Sequence, residues 1–106
     1  MKIVRNNIIP FKGYKAMNLF GILFVRKSAV ITDVDINHEC IHTAQMKEML
    51  YIPFYIWYVI EWLLRLIVCL NTREAYRKIG FEREAYNHEH DMKYLSCRKH
   101  YSWIRE

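Results

Sequence analysis

Glycine and proline are scarce in this 106-residue chain, three and two residues, which argues against a disordered or low-complexity protein. Cysteine is also sparse. Cys40, Cys69 and Cys97 are an odd number at wide spacings and none belongs to a Cys-x-x-Cys pair. Neither a disulfide framework nor a thiolate zinc knuckle is therefore expected, and a reducing, cytoplasmic compartment fits best. The N-terminal stretch lacks a continuous apolar run: Lys2, Arg5, Pro10, Lys12 and Gly13 interrupt it, with no small-residue cleavage site behind them. No signal peptide is expected on that pattern. Acidic residues are outnumbered, 11 against 16 Lys and Arg, giving a formal charge of +5. No helical pattern spaces Arg and Lys for a phosphate track, so no nucleic-acid partner is expected.

What is present is apolar bulk: 53% hydrophobic and 15% aromatic residues, enough for one compact domain over residues 1–106. A chain this short buries a modest share of its surface, so a metal ion or partner subunit would add useful stability. Residues 2–12 are mixed, with Pro10, Lys12 and Gly13 reading as a turn. Leu19 to Val25 is the best strand, and Ala29 to Thr32 is a short second strand or a connection. Asp33 or Asp35 can cap a helix running to about Leu50. Residues 50–70 form the most apolar stretch, opened as a helix by Pro53 and interrupted by Glu61 and Arg65 at pairing distance. It reads as a central helix packed on several sides. A homodimer contact or a membrane surface at the inner face of the membrane is its alternative role. Asn71 and Glu74 resemble a capping box for a helix through Ile79, Gly80 breaks the chain, and a further helix runs from Phe81 to about Ser96. Lys99 to Glu106 is a mixed tail. The expected fold class is α+β, a small twisted sheet of two or three strands packed on three main helices.

His38-Glu39-Cys40-Ile41-His42 reads His-Glu-x-x-His. Residues four apart lie one turn above each other on a helix, so both imidazoles can reach one tetrahedral ion. Glu39 is offset by about 100° and suits a general base rather than a ligand, taking a proton from a water the metal activates. Two histidines leave the coordination incomplete. The candidates for a third ligand lie in Phe81-Glu82-Arg83-Glu84-Ala85-Tyr86 and in Asn87-His88-Glu89-His90-Asp91; Glu82 and Glu84, about 200° apart on a helix, cannot both face one ion. Ala85, one turn beyond Glu82, would let the two helices approach closely; Glu84 stacks instead with His88. Geometry mildly favours Glu82 and leaves Glu84 open. His88, His90 and His100 read as surface residues, and Gln45, one turn beyond His42, as a water-holding or face-capping group.

The chain resembles the minimal gluzincin-type zinc metallopeptidases among small bacterial proteins, over roughly residues 19 to 95. Their pattern joins His-Glu-x-x-His on one helix to a Glu-x-x-Ala on a later one, often preceded by Phe, and Phe81-Glu82-Arg83-Glu84-Ala85 matches the second element. The resemblance implies Zn2+ held by His38, His42 and Glu82, with Glu39 catalytic. It further implies a peptide or protein substrate lying along an edge strand, for which Leu19 to Val25 is the available segment. Tyr86 stands where many relatives carry an Asp that supports a ligating histidine. A phenol cannot accept a charge-assisted bond from imidazole as a carboxylate does, but it can donate to Glu82 or to a reaction oxyanion, making Tyr86 a candidate catalytic helper. The rival expectation is a zinc-binding protein without catalysis, in which the ion locks two helices together.

Overall fold

The apolar stretch that reads as one strand folds back on itself at Phe20-Gly21. Both residues have positive φ, +53° and +88°, the arrangement of a type I′ hairpin turn. Glycine adopts this freely, and Phe20 is held there by a hydrogen bond from its N–H to the Tyr55 hydroxyl (2.9 Å). The computed structural model describes residues 1–8 and 15–106. In it β2 (Ala16–Leu19) and β3 (Ile22–Arg26) are the two antiparallel arms of this hairpin. The expectation of a single strand over Leu19 to Val25 is thus corrected. β1 (Lys2–Asn6) pairs in parallel with β3, giving the order β1-β3-β2. Leu23 and Val25 of the central strand are completely buried. Residues 29–32 form a connection and not a strand. The turn expected at Pro10, Lys12 and Gly13 lies outside the described residues.

The helix α1 (Asp33–Glu48) is capped by Thr32, one residue before Asp33 and three before Asp35, the two aspartates proposed for that role. The Thr32 side chain accepts from the Asp35 N–H, and the Asp35 carboxylate accepts from the Thr32 N–H. This reciprocal capping box puts His38 in the second turn, where the backbone is fully hydrogen-bonded. A tight reversal through Leu50 and Tyr51, both at positive φ, leads into α2 (Ile52–Cys69), with Pro53 in its first turn. α3 (Thr72–Lys78) follows, capped by the Asn71 side chain, which accepts from the N–H groups of Arg73 and Glu74. Gly80 is the first residue of α4 (Gly80–His88) rather than a break. A Cβ there would meet the Trp103 carbonyl at 3.2 Å and its ring at 3.4 Å, so a side chain would have to push that segment back by a few tenths of an ångström. The α4 N-terminus has no cap of its own; the Gly80 N–H donates to Glu61, whose other oxygen pairs with Arg65. That is the use of the two charges in the middle of α2.

Three expectations change at this level. The last long helix ends at His88 and not near Ser96, because the Asn37 amide donates to the carbonyls of His88, Glu89 and Asp91 and turns the chain. A short α5 (Tyr94–Cys97) follows. The tail is part of the core: Trp103, 5% exposed in a 3-10 turn, packs with Met46, Phe54, Ile79 and Phe81. And α2 is not packed on several sides, since Phe54 is its only buried residue. The result is an α+β fold of a three-stranded mixed sheet and helices.

Candidate metal centre

One turn of α1 separates His38 from His42, and α4 crosses α1 with Ile41 and Ala85 fully buried. A small residue at 85 lets Glu82, one turn earlier on α4, reach both imidazoles. Glu82 Oε1 lies 3.2 Å from His38 Nε2 and 3.0 Å from His42 Nε2, and the two nitrogens are 3.1 Å apart. All three residues are buried. A tetrahedral ion with bonds of ~2.0–2.1 Å has edges of about 3.3 Å between its ligand atoms. The three donor atoms therefore already form one face of such a tetrahedron, slightly contracted.

The surroundings fix which nitrogen of each ring carries a proton. Gln45 has its amide nitrogen 3.0 Å from the Phe81 carbonyl and 3.0 Å from Glu84, both acceptors, so its oxygen must face His42 Nδ1 at 2.8 Å. His42 Nδ1 is then the protonated nitrogen. His38 Nδ1 donates to the Glu89 carboxylate at 2.7 Å. Both Nε2 lone pairs consequently converge with a carboxylate oxygen, and three acceptors at this spacing repel unless a cation or proton lies among them. The Tyr58 hydroxyl donates to the second oxygen of Glu82 at 2.6 Å, leaving Oε1 for the cluster. Burial opposes the charge on Glu82, yet His42 and the hydrogen bonds from both histidines and Tyr58 outweigh it and hold the carboxyl well below its usual range. Burial alone would depress His42, but Glu82 beside it raises its pKa to about 9. In the metal-free protein a proton on His42 stands in for the missing positive charge. The donor set fits a divalent cation of borderline softness.

Glu84 does not join the cluster. It is fully buried and accepts from Gln45, Tyr94 and Arg98, and Arg98 also forks onto Glu48. Its burial is offset chiefly by Arg98, which keeps it ionised. The two glutamates of α4 thus face opposite tasks, one at the cluster and one in a buried ion network behind it. Beside the cluster lies a cleft of about 180 Å³ bordered by Ala16, His38, Glu39, Tyr76, Tyr86 and Glu89. Glu39 is half-buried, and its carboxylate forms no hydrogen bond or ion pair among the described residues. The Tyr86 ring packs edge-on to His38 with centroids 4.6 Å apart, and its hydroxyl is 3.0 Å from that of Tyr76. His90 and His100 are exposed, and His88 stacks on Tyr94 and pairs with Glu106.

Sequence reasoning missed Glu89 and Tyr58 as supports of the ligands, and gave Gln45 only a general polar role. The helical pattern that runs past Glu89 conceals the turn that carries it back to His38, while Tyr58 sits among apolar residues with no local sign of a buried partner. Comparison with family models, with curated proteins and with solved structures finds no match.

Proposed function

We propose that the protein is a zinc-dependent metallopeptidase of the gluzincin type, with His38, His42 and Glu82 as the ligands. The observation that carries this reading is the convergence of three oriented acceptors beside Glu39, a half-buried carboxylate at the edge of the same cleft. Bound zinc supplies Lewis acidity, polarising a carbonyl and lowering the pKa of water. Glu39 takes the proton from the attacking water and hands it to the leaving amine. Tyr86, beside His38, offers its hydroxyl to the developing oxyanion. β3 is the middle strand and has no free edge, so an extended peptide substrate would pair with β2, whose Ala16 borders the cleft. The reaction class and the Phe-Glu-x-x-Ala resemblance suit a cytoplasmic enzyme acting on unfolded segments, since a small domain has little material for a deep specificity pocket.

The alternative, zinc that only locks α1 to α4, calls for a fourth protein ligand. No further His, Cys, Asp or Glu joins the three among the described residues, which favours catalysis. The test is hydrolysis of an unfolded protein such as casein by zinc-loaded wild type and Glu39→Gln. Equal zinc content with activity lowered by a factor of about 10²–10⁴ in the variant is expected. Fully loaded wild type without activity, or a Glu39→Gln variant as active as wild type, would overturn the peptidase reading.

A further inference from the structure

Polarity in α2 is distributed inside out. At about 100° per residue, the residues facing the protein include Phe54, Tyr58, Glu61, Trp62 and Arg65, and those bear the helix's two charges and its contact to Glu82. The opposite half of the cylinder is exposed and aliphatic: Ile56, Ile60, Leu63, Leu64, Ile67 and Val68 are between 48% and 81% accessible. Across that half no charged residue occurs, and the Trp57 indole is its only hydrogen-bonding side chain. These side chains form one contiguous apolar face along the helix, where an ordinary monomer keeps its largest patch to about 300–600 Å². It continues over Trp103 and Ile104 into a groove of about 740 Å³, with the Glu61–Arg65 pair and Arg83 at its margin.

We propose that this face docks on the surface of an anionic lipid bilayer, with α2 lying in the membrane plane. A second copy of the chain suits the face less well. Protein interfaces, homodimers included, mix apolar cores with a polar rim and about one hydrogen bond per 100–200 Å², and this half-cylinder offers one donor. A partner helix covers a seam and leaves the flanks of so wide an arc exposed, whereas acyl chains cover it all. A spanning arrangement is excluded by α3, which packs along α2 and exposes Arg73, Glu74, Arg77 and Lys78. Arg73 and Lys78 on α3, Arg83 at the groove and the formal charge of +5 complement lipid phosphates. Tyr58 leaves α2 on the side away from this face. Docking therefore holds the Glu82 cluster about one helix diameter, ~10 Å, from the lipid.

The test is flotation of the full chain with vesicles of phosphatidylcholine alone and of phosphatidylcholine with phosphatidylglycerol, paired with sedimentation in lipid-free buffer. Wild type should float with the anionic vesicles and several-fold less with the neutral ones. The Ile60→Glu/Ile67→Glu variant, changed only at exposed positions, should lose at least tenfold in bound fraction with an unchanged far-ultraviolet spectrum. If that variant fails to fold, quenching of wild-type Trp57 by brominated lipid, lost in Trp57→Phe, serves in its place. Wild type that stays unbound with anionic vesicles would overturn the proposal. So would a lipid-free dimer that the same two substitutions dissociate, since a second copy would then own the face.

Discussion

His38 Nδ1 donates to the Glu89 carboxylate at 2.7 Å, across the turn that Asn37 builds by holding the last carbonyls of α4. Tyr86 has no carboxylate to offer His38; the one that reaches it comes three residues later, where the helix has ended. A ligating imidazole with such a partner is oriented and made more basic, and removal of the partner commonly costs 10- to 100-fold in metal affinity. Glu89→Ala should show a loss of that size in chelator competition with zinc, and Glu89→Gln, which still offers an oxygen, a smaller one.

Glu82 and Glu84 should separate cleanly. Glu82→Ala should abolish stoichiometric zinc binding, read by metal analysis after dialysis. Glu84→Ala leaves Arg98 with one partner fewer in a buried setting, and breaking such a pair costs about 3–5 kcal/mol. Its expected signature is a lowered denaturation midpoint, with zinc still bound at stoichiometry in the folded fraction.

The raised His42 pKa sets the pH behaviour. Its value rises from 6.5 to about 9 in the metal-free protein through Glu82, so the charged pair contributes stability fully below about pH 6.5. That contribution fades as pH climbs and is gone above about pH 9. Metal-free protein should accordingly lose thermal stability between pH 6.5 and 9. Zinc must displace the same proton, so zinc affinity should rise about tenfold per pH unit between pH 6 and 8, with one proton released per ion. Calorimetry in buffers of different ionisation enthalpy measures that release.

Trp103 ties the C-terminal segment to the core. Its ring lies with centroids 4.4 Å from Phe81 and 5.4 Å from Trp57, and its backbone closes over Gly80. Trp103→Ala should cost about 3–5 kcal/mol in denaturant unfolding. A loss under ~1 kcal/mol, within the range of surface substitutions, would contradict its place in the core.

Local signals carried much of the architecture. The caps at Thr32 and Asn71 act on N–H groups two or three residues away, and Pro53 acts on its own turn, so the starts of α2 and α3 are legible to within a residue or two and that of α1 to within one to three. The hairpin was not: Phe20 and Gly21 lie inside a run whose composition suits one strand, and the reversal depends on Tyr55, 35 residues away, holding the Phe20 N–H. The end of α4 escaped for the same reason, since the side chain that stops it is Asn37.

By itself the sequence determined that His38 and His42 share one helical face with Glu39 beside them, because a spacing of four residues is converted to a shared face by helix geometry alone. It also determined that the apolar stretch 50–70 would be helical from about Pro53 onward. The choice between Glu82 and Glu84 belonged to the tertiary structure, as did the recruitment of Glu89, Gln45 and Tyr58 around the ligands. So did the direction in which α2 turns its aliphatic half. Each of these depends on how helices cross and how far one is rotated against the next. That rotation is set by the packing of Ile41, Ala85, Phe81 and Trp103 between elements, on which periodicity within a single element has no hold.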